Sequence, residues 1–295
     1  MEYMKRGRAM GRREMNTEIF QDTIEFVDGS DKLLASILET RNRQRMIPGS
    51  EEMVPEGTLL PDYGQDAEVL VSGKRTLEAA SAYKGKKTCI LNFASATNPG
   101  GGVLSGSSAQ EESICRCSTL YFCLYTPVTV KSFYIPHRDA GDPLYNDDII
   151  YSPDVQVIKT DTSMPERMVE ADWYPVNVIT CAAPNLREHP SNAMNPNAGS
   201  HAAQITEQEL QVLLEKRIRR IFAVAAADHN SVLVLGAFGC GAFRNPPELV
   251  ADVFFRVTQD YLRSFETIEY AVFHTARETQ NYEAFLRRFG KDEKR

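Results

Sequence analysis

The sequence contains no apolar run approaching the ~20 residues needed to span a bilayer, so no membrane helix is expected. It also lacks a positive charge balance. Lys and Arg number 33 against 40 Asp and Glu, for a net charge of -7. A protein that grips a polyanion along its length carries a broad basic surface, so no extended or sequence-specific nucleic-acid groove is expected. A phosphate held locally by backbone amides is still allowed. Of the six cysteines, Cys115, Cys117 and Cys123 cluster, but their spacing matches no common zinc pattern. No metal and no cofactor is expected. Cys89 and Cys181 sit in apolar runs and read as buried small hydrophobes. The start, Met1 to Glu14, is polar and basic, with no apolar core of a secretory signal. A disulfide framework is then not expected. The chain reads as cytoplasmic with reduced cysteines, or nuclear in a eukaryote, and as a monomer. Lys5, Arg6, Arg8, Arg12 and Arg13 read as a frayed basic arm.

What is present is an ordinary globular composition, 42% hydrophobic and 25% charged over 295 residues. That suits one large α/β domain, or one domain with an extension. We divide the chain into residues 1–67, a basic arm, helical extension and linker, and residues 68–295, the catalytic domain. Residues 16–46 read as two helices broken near Asp28-Gly29-Ser30. Residues 47–67 are rich in Pro and Gly and read as a wrapping loop. From Glu68 strands alternate with helices. Strands are predicted at Glu68–Val71, Thr88–Ala94, Val155–Lys159, Val176–Cys181, Ser231–Gly236 and Glu269–His274. Helices are predicted at Thr76–Tyr83 with Thr76 as N-cap, at Glu111–Tyr125, and from the Thr206/Glu209 capping box to about Ala226. Two more follow, one opened by Asn245 as N-cap with Pro246 next, and one at Thr279–Phe289. This order favours a mostly parallel or mixed sheet with helices on both faces.

Two loops follow buried strands. The first is Asn98-Pro-Gly-Gly-Gly-Val-Leu-Ser-Gly106, and the second is Gly236-Ala-Phe-Gly-Cys-Gly-Ala-Phe-Arg-Asn245. In open α/β sheets ligands sit beyond the carboxyl ends of the strands. Glycines there let amides approach an anion closely. Neither loop is a common nucleotide fingerprint, because the first lacks the Lys-Ser/Thr of a P-loop and neither fits G-x-G-x-x-G. Together they suit a diphosphate held from both sides. Gln110-Glu111-Glu112 closes the first loop and opens a helix. Acids favoured by the helix dipole are the plain alternative. Adjacent helical residues point roughly 100° apart, so the two glutamates are not a facing glycosidase pair. One of them can reach a scissile bond while the other holds the ligand. A neighbouring acid and a bound diphosphate would help keep the reacting carboxyl protonated, as a departing sugar oxygen requires.

At this point the residues resemble a known family. Leu91 to Gly102, seven residues, then Gln110-Glu111-Glu112 is similar to the signature of bacterial-type poly(ADP-ribose) glycohydrolases, in the macrodomain superfamily. Gly239-Cys-Gly-Ala-Phe-Arg-Asn-Pro-Pro247 resembles that family's phosphate-and-ribose loop. The likeness runs from about Val69 to Phe289. It implies a macrodomain-like three-layer α/β/α fold with a mixed central sheet and an N-terminal helical extension. It implies poly(ADP-ribose), or proteins carrying it, as substrate. Glu112 would protonate the leaving 2′-oxygen of a ribose–ribose bond and then activate water. Glu111 would hydrogen-bond the ribose on the leaving side, and Gln110 would be among the substrate-binding residues. Asn98 would hold the ribose that becomes the oxocarbenium ion, and Gly100, Gly101, Gly102 and Val103 would bring that ribose and the diphosphate close to the backbone. Gly239, Cys240, Gly241 and Ala242 would cradle the diphosphate, and Phe243 would pack on the distal ribose, favouring cuts from the chain terminus.

Other polar residues read as structural. Tyr134 to Ala140, with His137, is a loop; Asp142, Asp147 and Asp148 lie in a solvated loop; His274 ends a strand. Lys216-Arg217-Ile-Arg219-Arg220 is the exposed face of a helix. Val69 to Ala80 is the expected wall of an adenine site. A reader that binds ADP-ribose without turnover, a hydrolase of mono-ADP-ribosyl conjugates and a nicotinamide-linked oxidoreductase are the competing readings. The acid pair argues against the first, and the missing dinucleotide fingerprint against the last.

Overall fold

The computed structural model describes residues 11–51, 59–191 and 196–290. Lys5, Arg6, Arg8, Pro55 and Gly57 lie outside the described residues. Helix α1 spans Arg12–Asp28 and buries Ile19, Phe20, Thr23 and Val27 at helical spacing. Arg12 and Arg13 therefore belong to a packed helix, not to a frayed arm. The Ser30 hydroxyl accepts from the Leu33 amide at 3.3 Å and opens α2, Asp31–Arg43. Then follow β1 (Arg45–Ile47), β2 (Glu68–Ser72), α3 (Thr76–Ser81), β3 (Thr88–Phe93), α4 (Gln110–Cys117), α5 (Leu120–Leu124), α6 (Pro127–Thr129), α7 (Ile135–Ala140) and β4 (Ile149–Val157). The last elements are β5 (Tyr174–Cys181), α8 (Glu207–Ala227), β6 (Val232–Leu235), α9 (Pro247–Tyr261), β7 (Thr267–Ala271) and α10 (Gln280–Phe289).

The strands form one mixed sheet in the order β1-β4-β5-β3-β6-β7-β2. From β5 to β2 the neighbours are parallel, while β4 runs antiparallel to β5 and β1. Side-chain alternation splits the core into two layers. Cys89, Leu91, Ile179, Cys181, Leu233 and Leu235 face α8, α9 and α10. Ile90, Val176, Val178, Val232 and Val234 face the opposite layer, with Leu77, Ile114, Leu120 and Phe20. This is the three-layer arrangement expected of a macrodomain-like chain.

Several local expectations need correction. The helix expected over Glu111–Tyr125 breaks at Ser118 and Thr119, where the Thr119 amide turns to bond the Gln156 carbonyl of β4 at 2.9 Å. Tyr134 to Ala140 is helical, because the stretch from Pro127 winds on through a π turn into α7. Thr76 is the first helical residue of α3, and Arg75 holds the cap position. Pro246 caps α9, so Asn245 lies one residue outside.

The basic run on α8 is exposed only in part: Lys216 faces solvent, but Arg217 and Arg220 do not. Arg217 is 1% exposed and Arg220 2%. Arg217 Nε donates to Asp147 Oδ1 at 2.9 Å, and its Nη atoms reach the carbonyls of Leu144, Tyr145 and Ala182. Arg220 donates to the carbonyls of Asp147, Glu51 and Pro48. Asp147 and Asp148 are buried with them rather than solvated. An isolated buried charge is costly, and each guanidinium escapes that cost by gathering acceptors. The arginines tie α8 to the connection before β4.

Candidate active site

β3 and β6 are parallel neighbours, so the chain leaves both at the same edge of the sheet. From β3 it passes through residues 94–109 into α4; from β6 it passes through residues 236–246 into α9. This brings the two glycine-rich loops together at one end of the sheet.

Gln110, the first residue of α4, ties that helix to β3. Its Oε1 accepts from the Phe93 amide at 2.9 Å, and its Nε2 donates to the Leu91 carbonyl at 2.7 Å and the Thr76 hydroxyl at 3.0 Å. The next two side chains are thereby set. Glu111 Oε2 accepts from the Ser95 amide at 2.8 Å, and Oε1 from Asn92 Nδ2 at 3.3 Å. Glu112 Oε1 accepts from the Gly102 amide at 2.8 Å. Glu112 Oε2 is buried and has no hydrogen-bond partner among the described residues. Glu111 is 3% exposed and Glu112 7%. Burial and the charge of Glu112 push the Glu111 carboxyl well above the ordinary glutamate range, against the opposing bonds from Ser95 and Asn92.

Gly101 explains why glycine is required here. Its φ is +58°, and a Cβ would stand 2.5 Å from Glu112 Oε1 and 2.9 Å from Glu111 Oε2. Both carboxyl groups close on the loop through space that a side chain would fill. In the second loop, Gly239 has φ +75°, and a Cβ there would meet Ala183 and Asn245 at 2.5 Å. Asn245 Nδ2 donates to the carbonyls of Pro184 and Gly239, closing the loop on itself.

Between the loops lies a cleft of about 690 Å³. Asn98, Gly101, Gly102, Gln110, Glu111 and Glu112 line one side of it; Gly239, Gly241, Ala242 and Phe243 line the other. Three of the expected binding residues are not brought to it. Gly100 backs onto Tyr121 and Cys115, and Val103 is fully buried in the core. Cys240 turns its thiol toward the Phe238 carbonyl at 3.7 Å. A second cavity of about 750 Å³ flanks Asp147 and Arg217. Asp147 there is already paired with Lys216 and Arg217, so we place the chemistry in the cleft that holds the two glutamates.

The lining also holds residues inside the expected Val69 to Ala80 wall and others that sequence reasoning passed over. Lys74, Arg75 and Thr76 stand at one end of the cleft with Phe273, and the Arg75 guanidinium lies 4.0 Å over the Phe273 ring. The segment Val69 to Ala80 was expected as a wall, but Phe273 was not. The available signal was its position just beyond the carboxyl end of β7, the same edge as both loops. Asp161 also lines the cleft, accepting from the Leu77 amide and the Ser113 hydroxyl. His137 lies elsewhere, buried against Phe133 and Tyr145, with Nδ1 2.7 Å from the Phe133 carbonyl. His274 lies past the end of β7 and stacks on Tyr282 at 4.3 Å.

Residues 23–160 match the family model described as "Microbial-type PARG, catalytic domain". The poly(ADP-ribose) glycohydrolase from Thermomonospora curvata superposes with a TM-score of 0.79 at 31% identity, covering 94% of this chain and 100% of that one. The chain belongs to the microbial-type poly(ADP-ribose) glycohydrolases. The Deinococcus radiodurans glycohydrolase, solved in complex with ADP-ribose, is 32% identical with a TM-score of 0.71, covering 86% of this chain and 97% of that one. The Thermomonospora glycohydrolase has also been solved with the inhibitor ADP-HPD, and matches at 31% identity with a TM-score of 0.77. No curated protein sequence matches this chain. In this glycohydrolase no helix among the described residues is long and apolar enough to cross a membrane.

Proposed function

We propose that this chain hydrolyses the ribose–ribose bonds of poly(ADP-ribose), on free polymer or on modified proteins, and releases ADP-ribose with Glu112 as general acid and base. The observation that carries the reading is the Glu112 carboxyl. One oxygen is fixed by the Gly102 amide, and the other is buried, without a partner among the described residues, in a side chain that lines the cleft. That second oxygen is the one to carry a proton to the substrate. Glu112 gives the proton to the 2′-oxygen of the leaving ribose. The bond from the anomeric carbon to that oxygen breaks, and its electron pair stays on the oxygen. The oxocarbenium ion takes up water, which returns a proton to Glu112.

The amides around Gly239 to Ala242 hold the diphosphate against the loop, and Asn98 holds the reacting ribose. Glu111, its carboxyl pushed up by burial, hydrogen-bonds the leaving side. Phe243 lies 6.0 Å from the Tyr145 ring and closes the end of the cleft at the distal ribose, which favours cutting from the terminus. Arg75 and Phe273 offer a flat, cationic surface for adenine. The catalytic groups all fall within residues 68–295, and residues of α1 add to the wall. Six free cysteines suit a reducing, cytoplasmic setting.

The test is product analysis by chromatography after incubation with poly(ADP-ribose) and, separately, with a mono-ADP-ribosylated protein. The expected result is early release of single ADP-ribose units from polymer and far slower release from the mono-modified protein. Binding without release would make the protein a reader. Faster release from the mono-modified protein would make it a different hydrolase.

A further inference from the structure

The cleft does not stop at Glu112. On the side away from the phosphate loop it continues along Gly106, Ser107 and Ser108 to Arg12 and Arg13 of α1. These arginines are held in place. Asn16 Nδ2, on the same helix, donates to the Gly106 carbonyl at 3.0 Å and lies 3.5 Å from that of Ser107. Gly106 packs directly on the Arg13 backbone. Arg116, on the helix that carries Glu112, donates to the Ser107 carbonyl at 2.6 Å. The start of α1 is thus separated from the catalytic helix by one short loop.

Both arginine side chains are available to a ligand. Arg12 donates to the Ser163 carbonyl at 2.9 Å. Among the described residues, neither Arg12 nor Arg13 takes part in an ion pair; the α1 acid Asp22 is held by Lys159 and Arg167. The nearby Asp161 is occupied by Leu77 and Ser113. In a chain of net charge -7, two cations at the wall of a cleft with no ion pair among the described residues are a directed feature.

Polymer chemistry says what they would meet. The oxygen that takes the proton from Glu112 and leaves the anomeric carbon belongs to the adenosine ribose of the next unit. That ribose carries its own diphosphate a few bonds away. We propose that Arg12 and Arg13 form a second phosphate subsite, for the diphosphate of the ADP-ribose unit left behind by each cut. This rests on the glycohydrolase reading and deepens it. The terminal unit is held by the amide-lined loops, and the rest of the polymer by the first turn of α1. The subsite gives the enzyme a reason to prefer polymer over a lone terminal unit, and guanidinium forks match diphosphate oxygens.

The test compares wild type with Arg12→Glu/Arg13→Glu and Arg12→Lys/Arg13→Lys. Measured are KM and kcat on defined-length polymer at low and moderate salt, and ADP-ribose affinity by calorimetry. Two exposed charge contacts reversed should raise KM for polymer roughly tenfold at low salt. kcat and ADP-ribose affinity should stay within about twofold, and the Lys pair should recover most of the loss. Wild-type KM should rise with salt and the Glu variant's should hardly change. An unchanged polymer KM, or an equal loss of ADP-ribose affinity, overturns the subsite. If wild type fails to cut polymer, the glycohydrolase reading fails instead, and polymer binding by the same variants then decides the subsite. Should the Glu pair melt early, Arg13→Gln replaces it in every arm.

Discussion

The Gly102 amide donates to Oε1 of Glu112 at 2.8 Å, leaving Oε2 of the same carboxyl without a partner. The loop thus selects which of the two oxygens is bonded. That selection depends on Gly101, whose missing side chain lets the carboxyl approach. Gly101→Ala should cost about 1–2 kcal/mol from the left-handed backbone alone. It should also displace Glu112, and a displacement near 1 Å can lower kcat about a hundredfold. Steady-state kinetics with a melting curve separates the two effects. Wild-type kcat in a folded Gly101→Ala protein would refute the close approach.

Asn16 clamps the far end of the same loop. Asn16→Ala removes a buried donor from the Gly106 carbonyl and should lower stability by about 1–3 kcal/mol. The loop would loosen under Glu112, so kcat should fall severalfold with little change in ADP-ribose affinity. Asn16→Asp should be worse, because its carboxylate would face two carbonyl oxygens. Equal kcat in all three proteins would mean that the loop holds its shape without α1.

Glu111 makes a pH signature. Its folded pKa is raised by burial and by Glu112, so the native state holds a proton that the unfolded chain has released. Between the ordinary glutamate range and the raised folded value, stability therefore falls as pH rises. Glu111→Gln abolishes this slope. Asn92, whose Oδ1 has no partner, can turn its amide to meet the new NH₂ group. Thermal melting across pH 4.5 to 8 should show wild type losing stability relative to Glu111→Gln, by an amount on the order of 1 kcal/mol per unit of pH within the window. Parallel curves would contradict the raised pKa.

The layered sheet was legible because β3, β5 and β6 are short apolar runs bounded by turn residues, and the two loops because their glycines follow those runs directly. What escaped depends on contacts distant in sequence. Arg217 and Arg220 recur at helical spacing like a solvated face; only the fold brings Asp147 and several carbonyl groups to them. β1 is three residues long and exists by pairing with β4. The break after Cys117 is imposed by a bond from Thr119 to β4, which no local pattern announces. Phe273 follows a strand as an ordinary apolar residue, and only its place at the rim of the sheet makes it part of the cleft.

The buried arginine gives a prediction about stability alone. Burial would push the Asp147 carboxyl up, but the Arg217 charge and the bonds from Lys216 and Arg217 bring it below its ordinary value. Removing one partner of a buried pair costs roughly 3–5 kcal/mol. Arg217→Ala should lower the melting temperature by about 10 °C or more, while the folded fraction retains ADP-ribose binding. Because the folded pKa is depressed, the contribution of the pair is present at neutral pH and lost as pH falls through that folded value. A variant as stable as wild type at neutral pH would show that the buried guanidinium, with its ion pair and its carbonyl bonds, adds no net stability.

The most direct measurement is single-turnover cleavage of poly(ADP-ribose) by Glu112→Gln, alongside its affinity for ADP-ribose. The amide keeps an oxygen for the Gly102 N–H but carries no transferable proton. ADP-ribose binding within a few-fold of wild type, with release slowed by at least about a thousandfold, is the expected pair of results. Release at the wild-type rate from a folded Glu112→Gln protein would place the acid elsewhere.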